Sequence, residues 1–235
     1  MGSRIKAVIF DLGKVLIDFD HRIAARRISA FCAMSAEEIY ELFFDSRLTA
    51  LFEEGKILPR DFFNQIKKLL DLKLDYDGFL PIWNEIFFLS PGNRSVYKIG
   101  KALRKNYAVA LLSNVNILHF NYLKEKFPIF DIFHNITASC AVGFKKPDPR
   151  IYKKLLNDLK VTPQDSFYTD DRPELIQEAN KLGMRSFIFE NIDKLKKDLL
   201  SCGVSIDRES HVLSLIHISE PTRPLYISYA VFCLK

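Results

Sequence analysis

The chain has 235 residues, enough for one core domain carrying an insertion and too few for a long repeat array. With 48% hydrophobic and 27% charged residues, and with 9 Gly and 10 Pro, it has the apolar content of a packed core, which excludes a disordered or collagen-like chain. The net charge of +5 comes from 34 Lys+Arg against 29 Asp+Glu spread along the chain, a balance that calls for neither nucleic acid nor a membrane as partner.

In chain order, Ala7-Val8-Ile9-Phe10 is a continuous apolar run bounded by charges, as expected of a strand buried on both faces of a parallel sheet. From residue 20 to 90 no strand-like run appears. Ile23, Ile28 and Phe31, then Ile39, Leu42 and Phe43, recur at helical spacing, with Ser35 and Glu38 forming a capping box. Further helices are expected from Asp61 to Leu70 and from Tyr76 to Phe88. Strand-like runs resume at 108–112, 136–138, 166–169 and 186–189, alternating with helical stretches near 94–105, 117–126, 149–159 and 173–182. Such alternation predicts an α/β fold with a parallel, Rossmann-like sheet of five strands. Residues 1–18 and 91–212 would form this core, and residues 19–90 a helical domain inserted after the first strand. Residues 213–235 change character and resemble translated sequencing-adapter read-through, so they are expected to be non-native. Their apolar run, Leu225 to Leu234, is too short to span a bilayer, which takes about 20 residues.

Cys32, Cys140, Cys202 and Cys233 lack C-x-x-C spacing and read as free thiols. No long apolar leader follows Met1, and together these features point to a reducing cytoplasm.

Ligands of an open parallel sheet bind beyond the carboxyl ends of its strands. The residues there are Asp11 after the first strand, Ser113-Asn114 after the second, Lys145-Lys146-Pro147 after the third and Asp170-Asp171 after the fourth. Each alone could be a turn or cap residue. Together, carboxylates from two strands would repel unless a divalent cation lay between them, and a site of hard oxygens suits Mg²⁺. Ser113 and Lys146 would then face phosphoryl oxygens, leaving Asp11 to attack phosphorus in line.

The order of these residues resembles the haloacid dehalogenase superfamily, over about residues 5 to 200. Its four motifs stand here as Val8-Ile9-Phe10-Asp11-Leu12-Gly13-Lys14-Val15-Leu16, Leu111-Leu112-Ser113-Asn114, Gly143-Phe144-Lys145-Lys146-Pro147-Asp148-Pro149 and Phe167-Tyr168-Thr169-Asp170-Asp171-Arg172-Pro173-Glu174. The resemblance implies Asp11 as nucleophile and Mg²⁺ ligand, the Gly13 carbonyl as a second ligand, and Asp170 and Asp171 completing the metal site. It also implies that Ser113, with Asn114 beside it, and Lys146 hold the phosphoryl group of a small phosphorylated metabolite, with the insertion closing as a cap. Lys146 rather than Lys145 matches the motif lysine, because it directly precedes Pro147. Phosphatases of the superfamily usually carry an acid/base aspartate two positions after the nucleophile, and here that position is Gly13. Relatives with the same Asp-Leu-Gly start include sugar-phosphate phosphatases of the glucose-1-phosphate type. Asp18, Asp20 and His21 are candidates to substitute. The expected activity is Mg²⁺-dependent hydrolysis of a small phosphomonoester, sugar phosphates included. A catalytically silent binding protein and a 2-haloacid dehalogenase remain as alternatives.

Overall fold

A computed structural model describes residues 4–44 and 46–206. The expectations for residues 213–235, Cys233 among them, lie outside the described residues.

Five parallel strands form the central sheet: β1 (Ala7–Phe10), β4 (Ala108–Ser113), β5 (Asn135–Ala138), β6 (Ser166–Asp170) and β7 (Arg185–Ile188). Their order is β5-β4-β1-β6-β7. Two short strands, β2 (Asp18–Phe19) and β3 (Phe87–Phe88), pair antiparallel outside this sheet. The helices are α1 (His21–Ile28), α2 (Ala36–Phe44), α3 (Arg47–Glu53), α4 (Pro59–Leu70), α5 (Tyr76–Asn84), α6 (Pro91–Leu103), α7 (Ile117–Lys126), α8 (Ser139–Val142), α9 (Pro149–Leu159), α10 (Pro173–Lys181) and α11 (Ile192–Ser201).

Strand alternation sends side chains to opposite faces of the sheet. Val8, Phe10, Val109, Leu111 and Phe167 pack with residues of α6 and α11, such as Val96, Ile99, Leu195 and Leu199. Ile9, Ala110, Leu112 and Tyr168 face the other way, onto Ile151, Tyr152 and Leu155 of α9 and Ile176 and Ala179 of α10. Local chemistry fixes where the helices begin. Ser90 and Asn93 form a reciprocal capping box ahead of Pro91 at the start of α6, and Asp148 caps α9 with Pro149 next.

The five helices α1–α5 bury a separate cluster that includes Phe52, Phe62, Phe79 and Trp83. The expected capping box forms, with Ser35 N donating to Glu38 Oε2 at 2.8 Å and Glu38 N donating to Ser35 Oγ at 3.3 Å. Within the insertion, two details differ from the sequence reading. The helix expected from Tyr76 to Phe88 stops at Asn84, and Phe87–Phe88 instead pair with Asp18–Phe19, so the insertion leaves and rejoins the core through a two-stranded stalk. α3 was not singled out by the periodicity. Among the described residues, no helix is long and apolar enough to cross a membrane.

Candidate active site

β1 lies between β4 and β6 in the sheet, and the chain crosses to opposite sides of it, which makes the carboxyl end of β1 a switch point where a crevice opens. Asp11 follows β1, Ser113 ends β4 and Asp170 ends β6. Phe10 stands in register with Leu111 on one side and Thr169 on the other, so Asp11 and Asp170 emerge at one level and Ser113 one residue further along. They are buried at 7%, 2% and 0% exposure, where an unpaired charge would be costly.

Lys146 supplies the pairing. Its Nζ donates to Asp11 Oδ1 and to Asp170 Oδ2, each at 2.6 Å, and reaches the Leu112 carbonyl at 3.1 Å and the Tyr168 hydroxyl at 3.2 Å. The Tyr168 hydroxyl in turn donates to Asp170. Burial works to lower the Lys146 pKa, but Asp11 and Asp170 outweigh it and hold the ammonium charged. The loop carrying Lys146 is held by Asn114. The Asn114 Nδ2 donates to the Lys146 carbonyl at 2.9 Å, and the Lys146 N–H donates to Asn114 Oδ1 at 2.7 Å. Asn114, expected from sequence beside the phosphoryl group, thus directs its amide to the lysine backbone. Far from a solvated loop charge, Lys146 is only 3% exposed.

Carboxylate oxygens of Asp11, Asp170 and Asp171 lie within 4.8 Å of one another. With three carboxylates against one ammonium, the cluster carries excess negative charge. Burial, opposed by Lys146 and reinforced by Asp170, pushes the Asp11 pKa up to about 7. Burial and then Asp170 likewise raise that of Asp171. A hard divalent cation fits this set of oxygen donors and this uncompensated charge, and Mg²⁺ accepts few protein carboxylates while keeping positions open for phosphate.

A cavity of about 470 Å³ lies over the cluster, and its lining includes Asp11, Gly13, Ser113, Asn114, Lys146 and Asp171 from the core. Its far wall comes from the insertion. At Gly13, a Cβ would lie 2.7 Å from the Phe19 ring, so an aromatic side chain fills the space an acid/base side chain would take. Asp18 and Asp20 are not among the residues lining the cavity, whereas His21 is, its ring edge-on to Phe19 at 4.9 Å. Burial lowers the His21 pKa to about 4, with Asp20 opposing and Lys14 assisting.

The insertion is tied to the core at two places. His119 Nε2 meets the Trp83 carbonyl at 3.0 Å while Asn116 Nδ2 meets His119 Nδ1 at 3.0 Å. Since a carbonyl only accepts and an amide NH₂ only donates, the ring is the neutral Nε2–H tautomer. Burial, assisted by His21, accordingly lowers its pKa to about 3. At the second tie, Ser139 Oγ donates to the Glu53 carbonyl at 2.6 Å and Lys145 Nζ lies 3.1 Å from the Glu53 carboxylate. Sequence reasoning missed His119, Tyr168 and Glu53. The Asn116-x-x-His119 spacing at a helix start was the one available signal for the first, and Tyr168 reads as an ordinary strand residue.

A family model described as haloacid dehalogenase-like hydrolase matches residues 5–183. The chain is 27% identical to a D-ribitol-5-phosphate phosphatase of Bacteroides thetaiotaomicron over 80% of its own length and 93% of the relative's. It is 34% identical to a chloroplast flavin mononucleotide hydrolase of Arabidopsis thaliana over 37% of its own length and 36% of the relative's. A haloacid dehalogenase family enzyme of Bacteroides thetaiotaomicron, solved with magnesium and inorganic phosphate, superposes with a TM-score of 0.71 at 26% identity, covering 79% of this chain and 94% of that one. With its motifs in order on the described sheet and the family match spanning most of its length, the chain belongs to the haloacid dehalogenase-like hydrolases.

Proposed function

We propose that this protein is a Mg²⁺-dependent phosphatase that hydrolyses a small phosphomonoester through an aspartyl-phosphate on Asp11. The observation that carries the reading is the Lys146 ammonium bridging Asp11 and Asp170 at 2.6 Å to each, which joins a nucleophile, a cation-binding acid and a phosphate-binding charge. The phosphatase relative and the magnesium and phosphate held by the Bacteroides enzyme support it.

Asp11, Asp170, Asp171 and the Gly13 carbonyl would hold Mg²⁺, which when bound supplies positive charge to the phosphoryl oxygens. Asp11 attacks phosphorus with its carboxylate, the ester P–O bond breaks, and the leaving oxygen takes a proton from water to depart as the alcohol. Ser113 donates a hydrogen bond to a phosphoryl oxygen, and Lys146 balances the charge that builds on the others. Asn114 and Tyr168 hold Lys146 and Asp170 in place. Water then attacks the phosphorus of the acyl phosphate, freeing the Asp11 carboxylate and inorganic phosphate. Residues 19–90 act as a cap domain on the core of 1–18 and 91–212, excluding bulk water during transfer and opening for release. The working compartment in this reading is the cytoplasm, in keeping with the unpaired Cys32, Cys140 and Cys202.

The test is phosphate release from p-nitrophenyl phosphate, sugar phosphates, nucleotides and flavin phosphate, with and without Mg²⁺. Turnover that requires Mg²⁺ and vanishes in Asp11→Asn is expected. Turnover that persists in Asp11→Asn would remove Asp11 as nucleophile, and a folded, Mg²⁺-binding protein that turns over nothing would make this a binding protein.

A further inference from the structure

The cavity has two unlike walls. On the core side stand the charged cluster and Ser113. On the insertion side Phe19, Ala24, Ala25, Phe43, Trp83 and Phe87 line it. Ala24 and Ala25 are small residues of α1 and leave room in front of the aromatic rings, of which Phe43 and Trp83 stand edge to face at 5.6 Å. On this side the Trp83 indole N–H is buried without a hydrogen-bond partner among the described residues, His21 stands edge-on to Phe19 at 4.9 Å, and the other polar groups are engaged within the protein. The Tyr40 ring lies under the Arg22 guanidinium at 3.9 Å. Thr49 Oγ1 shares a hydrogen bond with Ser46 Oγ at 3.0 Å, and the Glu53 carboxylate faces Lys145. Asn116, at the boundary, uses its amide on His119. A polyol in this space would set all but one or two of its hydroxyls against aromatic faces and side chains committed elsewhere, and unpaired hydroxyls weigh against binding. At about 470 Å³ the cavity falls in the ~300–1,000 Å³ range of pockets that bury a whole small molecule, far more than the phosphoryl group needs.

We propose that the leaving group this cavity selects is a mainly apolar alcohol, prenyl or aryl, held by the aromatic wall while its phosphate meets Lys146 and Ser113. The inference rests on the phosphatase reading and narrows its substrate class. The chemistry on the page agrees on a second point for the aryl case: with Phe19 in the place of an acid/base side chain, a phenolic oxygen, which departs with less protonation than a saturated alkoxide, is the better match.

The experiment compares geranyl monophosphate with ribitol 5-phosphate on the full chain with Mg²⁺, and p-nitrophenyl phosphate is the control for hydrolysis itself. A kcat/KM at least about tenfold higher for geranyl monophosphate is expected, from the apolar surface it buries. Equal or faster hydrolysis of ribitol 5-phosphate overturns the proposal while leaving the phosphatase reading intact. Trp83 is the one tryptophan of the chain, so its emission reports occupancy of the wall without turnover. In Asp11→Asn, geranyl monophosphate should shift that emission at concentrations at least about tenfold below those ribitol 5-phosphate needs. If no ester, the control included, is hydrolysed, the phosphatase reading fails and this titration still decides the inference: no geranyl-dependent shift overturns it. Filling the wall with Ala25→Leu should lower the geranyl-to-ribitol ratio of kcat/KM about tenfold, and an unchanged ratio in the folded variant counts against the wall as selector.

Discussion

Asp11 sits where its charge is least welcome. Burial raises its pKa from 3.8 to about 7, with Lys146 opposing and Asp170 adding to the shift. For a carboxyl whose folded pKa lies above its unfolded one, the native state binds the proton more tightly, so its contribution to stability is whole below pH 4 and is lost as pH rises to about 7. At roughly 1.4 kcal/mol per unit, a shift of this size amounts to about 4 kcal/mol. Asp11→Asn removes the anion and leaves Lys146 paired with Asp170 at 2.6 Å. Placing an amide donor near an ammonium takes back about 1–2 kcal/mol, leaving a net gain of about 2–3 kcal/mol. In a chain of this size that corresponds to roughly 5–10 °C in Tm. Thermal unfolding in a chelator should therefore show Asp11→Asn melting above the wild type at pH 8, with the gap closing toward pH 4. Titrations common to both proteins cancel in the difference. A variant that melts at or below the wild type at pH 8, or a gap that persists at pH 4, would refute the reasoning.

Lys146→Ala should cut kcat by tens-fold or more and, because it strands two buried carboxylates, should also lower stability without metal by about 3–5 kcal/mol in denaturant titration. Stability equal to the wild type would show that the ammonium is not the counter-charge of the cluster. Gly13→Asp alone should not speed hydrolysis, since its Cβ meets the Phe19 ring at 2.7 Å, whereas Gly13→Asp with Phe19→Ala opens the space and should raise kcat on an alkyl phosphate. Equal rates for the single and double variants would mean that Phe19 is not the obstacle. His119 is held neutral with its pKa lowered to about 3, so the native state loses stability as pH falls from 6.5, and over pH 7 to 5 this one group contributes about 2 kcal/mol of loss. His119→Gln should flatten that part of the denaturation free-energy profile, and an unchanged slope would place the titration elsewhere.

The strands were legible because burial on both faces leaves a simple trace: Ala7–Phe10 and the later apolar runs stand within a residue or two of where composition put them. The cluster was legible for a different reason, since Asp11, Ser113 and Asp170 end neighbouring strands and the sheet itself brings them together. What sequence did not reveal depends on partners far along the chain. Phe87–Phe88 look helical until Asp18–Phe19 are known to lie beside them, and a two-residue pairing is too short to show alternation. His119 gains its meaning from the Trp83 carbonyl, a backbone atom no motif can encode. Asn114 matched its motif, yet the direction of its amide is set by the loop around Lys146. Lys146 itself followed a polar pattern typical of exposed loops, and only the two carboxylates beneath it draw it inside.

The stalk of Asp18–Phe19 against Phe87–Phe88 has a consequence for how such a molecule tolerates change. A detour that returns beside its starting point leaves the two halves of the sheet the same distance apart whatever its length, and the entropy of closing a loop grows only slowly with the residues inside it. The helices have their own buried cluster around Phe52, Phe62 and Phe79, so little of the sheet's packing depends on which helices they are. The charged cluster and the wall above it thus lie in separable parts of one chain: the far wall can be exchanged at a two-residue seam while the carboxylates and lysine beneath it keep their places.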